Sequence, residues 1–197
     1  MPYNYNRLYE GMVPFHNGFR QKLRMLEMAT PGSQGAAKSN VLNLIRLALS
    51  LCEHLEMHHM IEERHIFGHL ARRLPQFESG KTHEAEHAQM HAALEEMEKY
   101  LRASSKKLSS SKGALPPPAP MPIAASDGEA AGDGGKRGAD VERAWPEDTW
   151  SEKRFAEMLH RLKTVLLPHL EAEETSLKEA SIRGAGFTED ELRRIPL

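Results

Sequence analysis

Every long amphipathic stretch of this chain carries an apolar stripe that runs into a histidine, and few folds tolerate that four times over. Taken in steps of four and three residues, the positions that share one helix face, the first stretch reads Leu8, Met12, His16, Phe19, Leu23, Leu26. The second reads Leu44, Ala48, Leu51, Leu55 and then turns polar at His58, Glu62, His65 and His69. The third runs His87, Met90, Leu94, Met97, Leu101 with His91 beside it, and the fourth runs Phe155, Leu159, Leu162, Leu166 into His169 and Glu173. Histidine is also dense locally. Eight of the eleven fall between His54 and His91, in the spacings His54-x3-His58-x3-Glu62 and His83-x3-His87-x3-His91.

Stripes of this kind predict an all-α bundle whose core turns polar partway along. Burying imidazoles and carboxylates without partners costs several kcal/mol, and a metal ion offsets that cost by replacing lost hydration with coordinate bonds. Neutral imidazole with carboxylate suits iron, zinc or manganese, whereas calcium and magnesium prefer oxygen alone. The stripe supplies five histidines, His16, His58, His87, His91 and His169, and two acids, Glu62 and Glu173. Seven ligands exceed what one ion takes, and two ions bridged by the two carboxylates would use them all. His54, His59, His65, His69, His83 and His160 are expected to be surface residues, packing residues or outer partners of the ligands, as are Glu63 and Glu174. Cys52 reads as an ordinary buried thiol, and the ten methionines as seam filling.

The stretches divide at plain stop signals. The first helix is expected over about Tyr5 to Ala29, before Thr30-Pro31-Gly32-Ser33; the second from Ser39 or Asn40 to Leu74, where Pro75 ends it; the third from after Glu78-Ser79-Gly80 to Leu101 or Ala103. From 104 to 144 the composition turns to Ser, Pro, Gly and Ala, including Pro116-Pro117-Pro118. Such a segment buries too little apolar surface to offset its ordering entropy, so a flexible insertion is expected there, with its Pro-rich run a possible ligand for a protein partner that the sequence does not name. The fourth helix is expected from Thr149, capped by the Thr149/Glu152 pair, to Ala180. The division is thus a bundle over 1–180, interrupted at 104–144, and a tail over 181–197 with a short helical turn at Thr188 to Glu191.

Composition removes several other classes. A net charge of −2 and a pI of ≈ 6.6 give no reason to expect nucleic acid or an anionic membrane as partner. A single cysteine excludes an intrachain disulfide and a thiolate-rich metal site. The opening Met-Pro-Tyr-Asn-Tyr-Asn-Arg lacks the apolar core of a signal peptide, and no apolar run could span a bilayer, so a cytoplasmic protein is expected.

Read in order, these residues resemble the hemerythrin-like (HHE cation-binding) family: a lone His on helix one, His-x3-Glu on helix two, His-x3-His on helix three, and a His followed by an acid on helix four. Here they are His16 in Val-Pro-Phe-His-Asn, His58 and Glu62 in His-His-Met-Ile-Glu-Glu, His87 and His91 in Glu-His-Ala-Gln-Met-His, and His169 with Glu173 in Pro-His-Leu-Glu-Ala-Glu-Glu. The text Arg64-His65-Ile66-Phe67 and Met97-Glu98-Lys99-Tyr100-Leu101 is similar to fungal members in particular.

The resemblance implies an up-down-up-down four-helix bundle and a non-haem di-iron centre. It would place His87, His91 and His169 on one iron, His16 and His58 on the other, and Glu62 and Glu173 as bridges. The two-histidine iron would keep a position for dioxygen, peroxide or nitric oxide. Oxygen-carrying members space the last His and acid by five residues, and this chain offers both Glu173 and Glu174. Glu173 is the better candidate because it stays within about 40° of His169 around the helix, against about 140° for Glu174. Two departures from the family are Pro168, which removes a helical hydrogen bond beside His169, and the long insertion before helix four. A small-ligand binder or an iron or redox sensor is the leading functional expectation. The alternatives are an enzyme acting on peroxide or nitric oxide, and a metal-free helical interaction protein.

Overall fold

The computed structural model describes residues 3–111 and 144–196, and among these no strand occurs. Four long helices, α1 (Arg7–Ala29), α2 (Lys38–Ile61), α4 (Thr82–Ser110) and α5 (Glu152–Leu177), form a ring in which α1 packs on α2 and α5, and α4 packs on the same two. Consecutive members of the ring run antiparallel. Lys22 meets Ser50, Lys38 meets Ser111, Tyr100 meets Ser151 and Lys163 meets Glu27. This is the all-α bundle that the stripes predict, in the up-down-up-down order that the resemblance implies.

α1 buries Leu8, Met12, His16, Phe19, Leu23 and Leu26, the stripe read from the sequence. It stops where the Thr30 hydroxyl donates to Leu26 O at 2.6 Å and Gly32 takes φ +80°, a conformation that favours glycine. α2 departs from expectation at its end. Instead of continuing to Leu74, the helix widens into a π-helical turn over Glu62–Ile66 before the short α3 (Phe67–Leu70). One residue more per turn rotates everything downstream. Ile66, Phe67 and Leu70 face inward, while His65 is exposed and His69 only half-buried.

α4 runs to Ser110, so residues 104–110, expected in the insertion, are helical, with Ser104 and Leu108 in the core. The remainder of that segment, 112–143, lies outside the described residues. The cap of α5 also differs: Ser151, not Thr149, accepts the amide of Arg154 at 3.2 Å. Trp145 and Trp150 are buried there, and Gln34 ties the approach by accepting the Glu152 amide at 2.9 Å and donating to Trp150 O at 2.8 Å.

Residues expected as a tail form two short helices, α6 (Glu179–Gly184) and α7 (Glu189–Arg193), the second opened by a capping box between Thr188 and Glu191. They close one end of the bundle. Arg7 donates to Leu192 O and Ile195 O at 3.1 and 2.9 Å, and Arg73 grips Glu191 with both Nε and a terminal nitrogen. The apolar interior is consequently split. One cluster fills the long ring from Leu26 and Val41 to Leu170, and a second joins Leu8, Met12, Ile66, Phe67, Leu70, Phe77 and Leu177 to Ile182, Phe187, Leu192 and Ile195. The histidines and acids of the stripes lie between the two.

Candidate metal centre

Two pairs of imidazoles face each other across two buried carboxylates. On the α1/α2 side His16 Nε2 and His58 Nε2 are 3.2 Å apart, and on the α4/α5 side His87 Nε2 and His169 Nε2 are 3.1 Å apart. Glu62 sits between them, Oε1 2.9 Å from His58 Nε2 and Oε2 3.6 Å from His87 Nε2. Glu173 Oε2 stands 3.4 Å from His16 Nε2 and 3.8 Å from His169 Nε2. Both carboxylates are fully buried, and none of their four oxygens has an aligned hydrogen-bond partner among the described residues. The 2.9 Å contact of Glu62 is close but out of line for a hydrogen bond.

The outer faces of these rings explain why the inner ones point as they do. His16 donates its Nδ1–H to Glu174 Oε1 at 2.9 Å, an oxygen that Arg20 also holds at 2.7 Å. His87 donates to Glu63 Oε1 at 2.7 Å, and His169 to Glu86 Oε2 at 2.8 Å. A proton fixed on Nδ1 leaves the Nε2 lone pair directed inward, the arrangement by which carboxylates orient metal-binding histidines. Facing lone pairs repel unless a cation lies between them. Two ligands at right angles on one ion, each about 2.1 Å from it, stand about 3 Å apart, which is the separation of both pairs.

Electrostatics agree with the geometry. Burial, with His16 close by, lowers the pKa of His58 to about 4, and burial, with His169 close by, lowers that of His87 to about 3, so both are neutral at pH 7. Burial and the adjacent Glu173 push Glu62 up. For Glu173 burial acts upward too, but the closeness of His16, His169 and His58 outweighs it and holds the acid below the usual carboxylate range. The proton of the pair therefore sits on Glu62 while Glu173 keeps its charge, and a divalent cation would satisfy both. The donor set of imidazole and carboxylate fits such an ion.

Six of the seven residues singled out by the stripes meet here: His16, His58, Glu62, His87, His169 and Glu173. The structure does not bring in His91, which is half-buried and touches the rim edge-on to His59, ring centres 5.6 Å apart. His83 is buried instead, its ring 5.4 Å from that of His169 and its Nδ1 3.6 Å from Glu86 Oε2, with no aligned hydrogen bond to that nitrogen among the described residues. The signal was present, since the α4 stripe Leu101, Met97, Leu94, Met90, His87 reaches His83 at its next step of four. His59, expected as a surface, packing or outer residue, packs: it is buried, stacked on His87 at 4.0 Å and within reach of an ion shared with His87 and His169, and among the described residues neither ring nitrogen has a hydrogen-bond partner. Glu174, Glu63 and Glu86 stand outside the centre as partners of its histidines.

Neither a curated protein nor a solved structure matches the chain. The Hemerythrin HHE cation binding domain model matches residues 7–114, more than half of the 197 residues, and leaves His169 and Glu173 beyond its span. By that match the chain belongs to the hemerythrin HHE cation-binding family.

Proposed function

We propose that the centre holds two iron ions, carboxylate-bridged and without haem, and binds dioxygen or a related small ligand. His16 and His58 would hold one ion, His83, His87 and His169 the other, with Glu62 and Glu173 between them; His83 takes the role that the resemblance implied for His91. The single observation that carries this reading is the pair of 3.1–3.2 Å Nε2 separations astride two buried acids that have no hydrogen-bond partners among the described residues. Reduced iron held by these residues would supply the electrons and Lewis acidity for binding dioxygen, peroxide or nitric oxide. The chain's own contribution is orientation and exclusion of water: Glu174, Glu63 and Glu86 fix three rings, and apolar clusters close both ends.

Binding is favoured over turnover by the surroundings of the two-histidine side. His58 packs against the rings of Phe15 and Phe19, at 5.8 and 5.1 Å, an apolar flank that suits holding a small ligand better than proton traffic with solvent. The same donors fit zinc or manganese, so metal analysis comes first. Protein prepared anaerobically with iron should contain about two irons per chain, the number that the ligand count supports, and on exposure to air develop a visible charge-transfer band that disappears on deoxygenation. Negligible metal from iron-supplied cells refutes the centre. Rapid peroxide consumption without a reversible band replaces binding with catalysis.

A further inference from the structure

A second site adjoins the centre. Between α1 and α2 lies a groove of ≈ 840 Å³, within the range of sites for small organic molecules. It follows α1 from Met12 to Lys22, about 15 Å at the rise of a helix, and its walls are apolar. Phe15, Met57 and Ile61 stand 59, 56 and 44 % exposed along it, although large apolar side chains in such proximity are normally covered. Polar groups interrupt the groove where His58 and the buried Glu62 reach it from the centre and where the exposed His65 borders it. One end carries Lys22 beside His54; the other is closed by Pro196. Lys22 is held by Ser50 and His54, and among the described residues no carboxylate comes within ion-pair distance of it.

An apolar trough with one ammonium at its end is complementary to a linear molecule with one anionic head. We propose that the groove binds a medium-chain carboxylate, its head at Lys22 and its chain lying across His58 and Glu62 towards Pro196. The inference goes beyond the metal centre and does not depend on its being loaded. A polyanion or a branched polar ligand fits less well, because Lys22 is the one lysine or arginine among the lining residues and most of the others are apolar.

Titration calorimetry of the full chain with dodecanoate and with dodecanol, below micellar concentrations, tests it. Dodecanoate should bind one to one, to iron-loaded and chelator-treated protein alike. Gly18 borders the groove, and a Cβ added there meets nothing within 4 Å, so a larger side chain starts from open space. Gly18→Phe should therefore fold, keep its metal and lose dodecanoate binding; unchanged binding in a folded Gly18→Phe protein overturns the proposal. Lys22→Met provides an arm that does not fill the groove. It should weaken dodecanoate about tenfold or more, the worth of one charge-assisted contact, and leave dodecanol unchanged; equal effects on both, or none, overturn the head assignment. A wild-type dimer that Gly18→Phe dissociates would give the groove to a second copy and likewise overturn it. Metal without dodecanoate defeats this inference alone, and dodecanoate without metal defeats only the metal centre.

Discussion

Glu62 is buried against a second acid and, among the described residues, has no aligned hydrogen-bond partner. Replacing it by Gln keeps the position neutral without the proton that Glu62 must take up, and supplies a fixed donor for Glu173. Glu62→Gln should therefore raise the stability of the metal-free protein by about 1–3 kcal/mol while lowering its metal content. Thermal melts with and without chelator check this, and a chelated variant less stable than wild type would show that Glu62 is already satisfied. The α4 histidines give a second expectation. His83→Ala should lose metal, whereas His91→Ala should keep it, as metal analysis of the two purified variants will read; the reverse outcome restores the His87/His91 pair. The sequence alone does not separate these two dyads because each has the same spacing of four. Only the length of the apolar stripe distinguishes them, and the end of a stripe is its least defined part. Glu173 over Glu174 was legible for the opposite reason: a change of one position turns a helical side chain by about 100°, which divides the core from the surface.

At the scale of elements, the four stripes were enough to read the bundle, since each long helix buries the face its periodicity defines. The π-helical turn was not legible. Glu62 to Ile66 has no proline, glycine or cap to mark it, and what compels the extra residue is tertiary: Glu62 must face the centre while Ile66, Phe67 and Leu70 reach the apolar cluster beyond it. Deleting Arg64, exposed within the turn, would close it to a plain helix in which Ile66, Phe67 and Leu70 each move one place earlier and so stay on the inward face. The variant should therefore lose only about 1 kcal/mol in a thermal melt; a loss of about 3 kcal/mol or more, the worth of the burial in that cluster, would show that the wider turn itself positions these side chains. The end of α4 was misread for a related reason. Ser104 to Ser110 is serine- and lysine-rich, yet Leu108 fills the core and Lys107 holds Asp148 across the connection, contacts that composition does not report. Because Lys38 holds Ser111 and Gln34 holds Trp145, the two ends of the connection dock on neighbouring residues. Replacing 113–142 by a short Gly/Ser linker should leave metal content unchanged, and its loss would make the segment part of the fold.

For the whole molecule, the C-terminal helices are the lid that separates the centre from water at one end, and their hold on the bundle titrates. Glu191 caps α7 and pairs with Arg73, and the Thr188 amide and then that guanidinium hold its acid down to about 2, against an ordinary value of 4.5. A carboxyl whose pKa is lower in the folded chain stabilises the fold above its unfolded value and ceases to do so as pH falls through its folded one. The contribution is therefore complete above about pH 5 and disappears towards pH 2. Comparison of wild type with Glu191→Gln separates this from protonation of the metal centre, which both proteins share. Their melting temperatures should differ by a constant amount from pH 5 to 8 and converge as pH falls to about 2. A difference that persists at pH 2 would mean that Glu191 acts by packing rather than by charge. The lid would then be fastened by Arg7 on the Leu192 and Ile195 carbonyls, a grip that acid does not loosen.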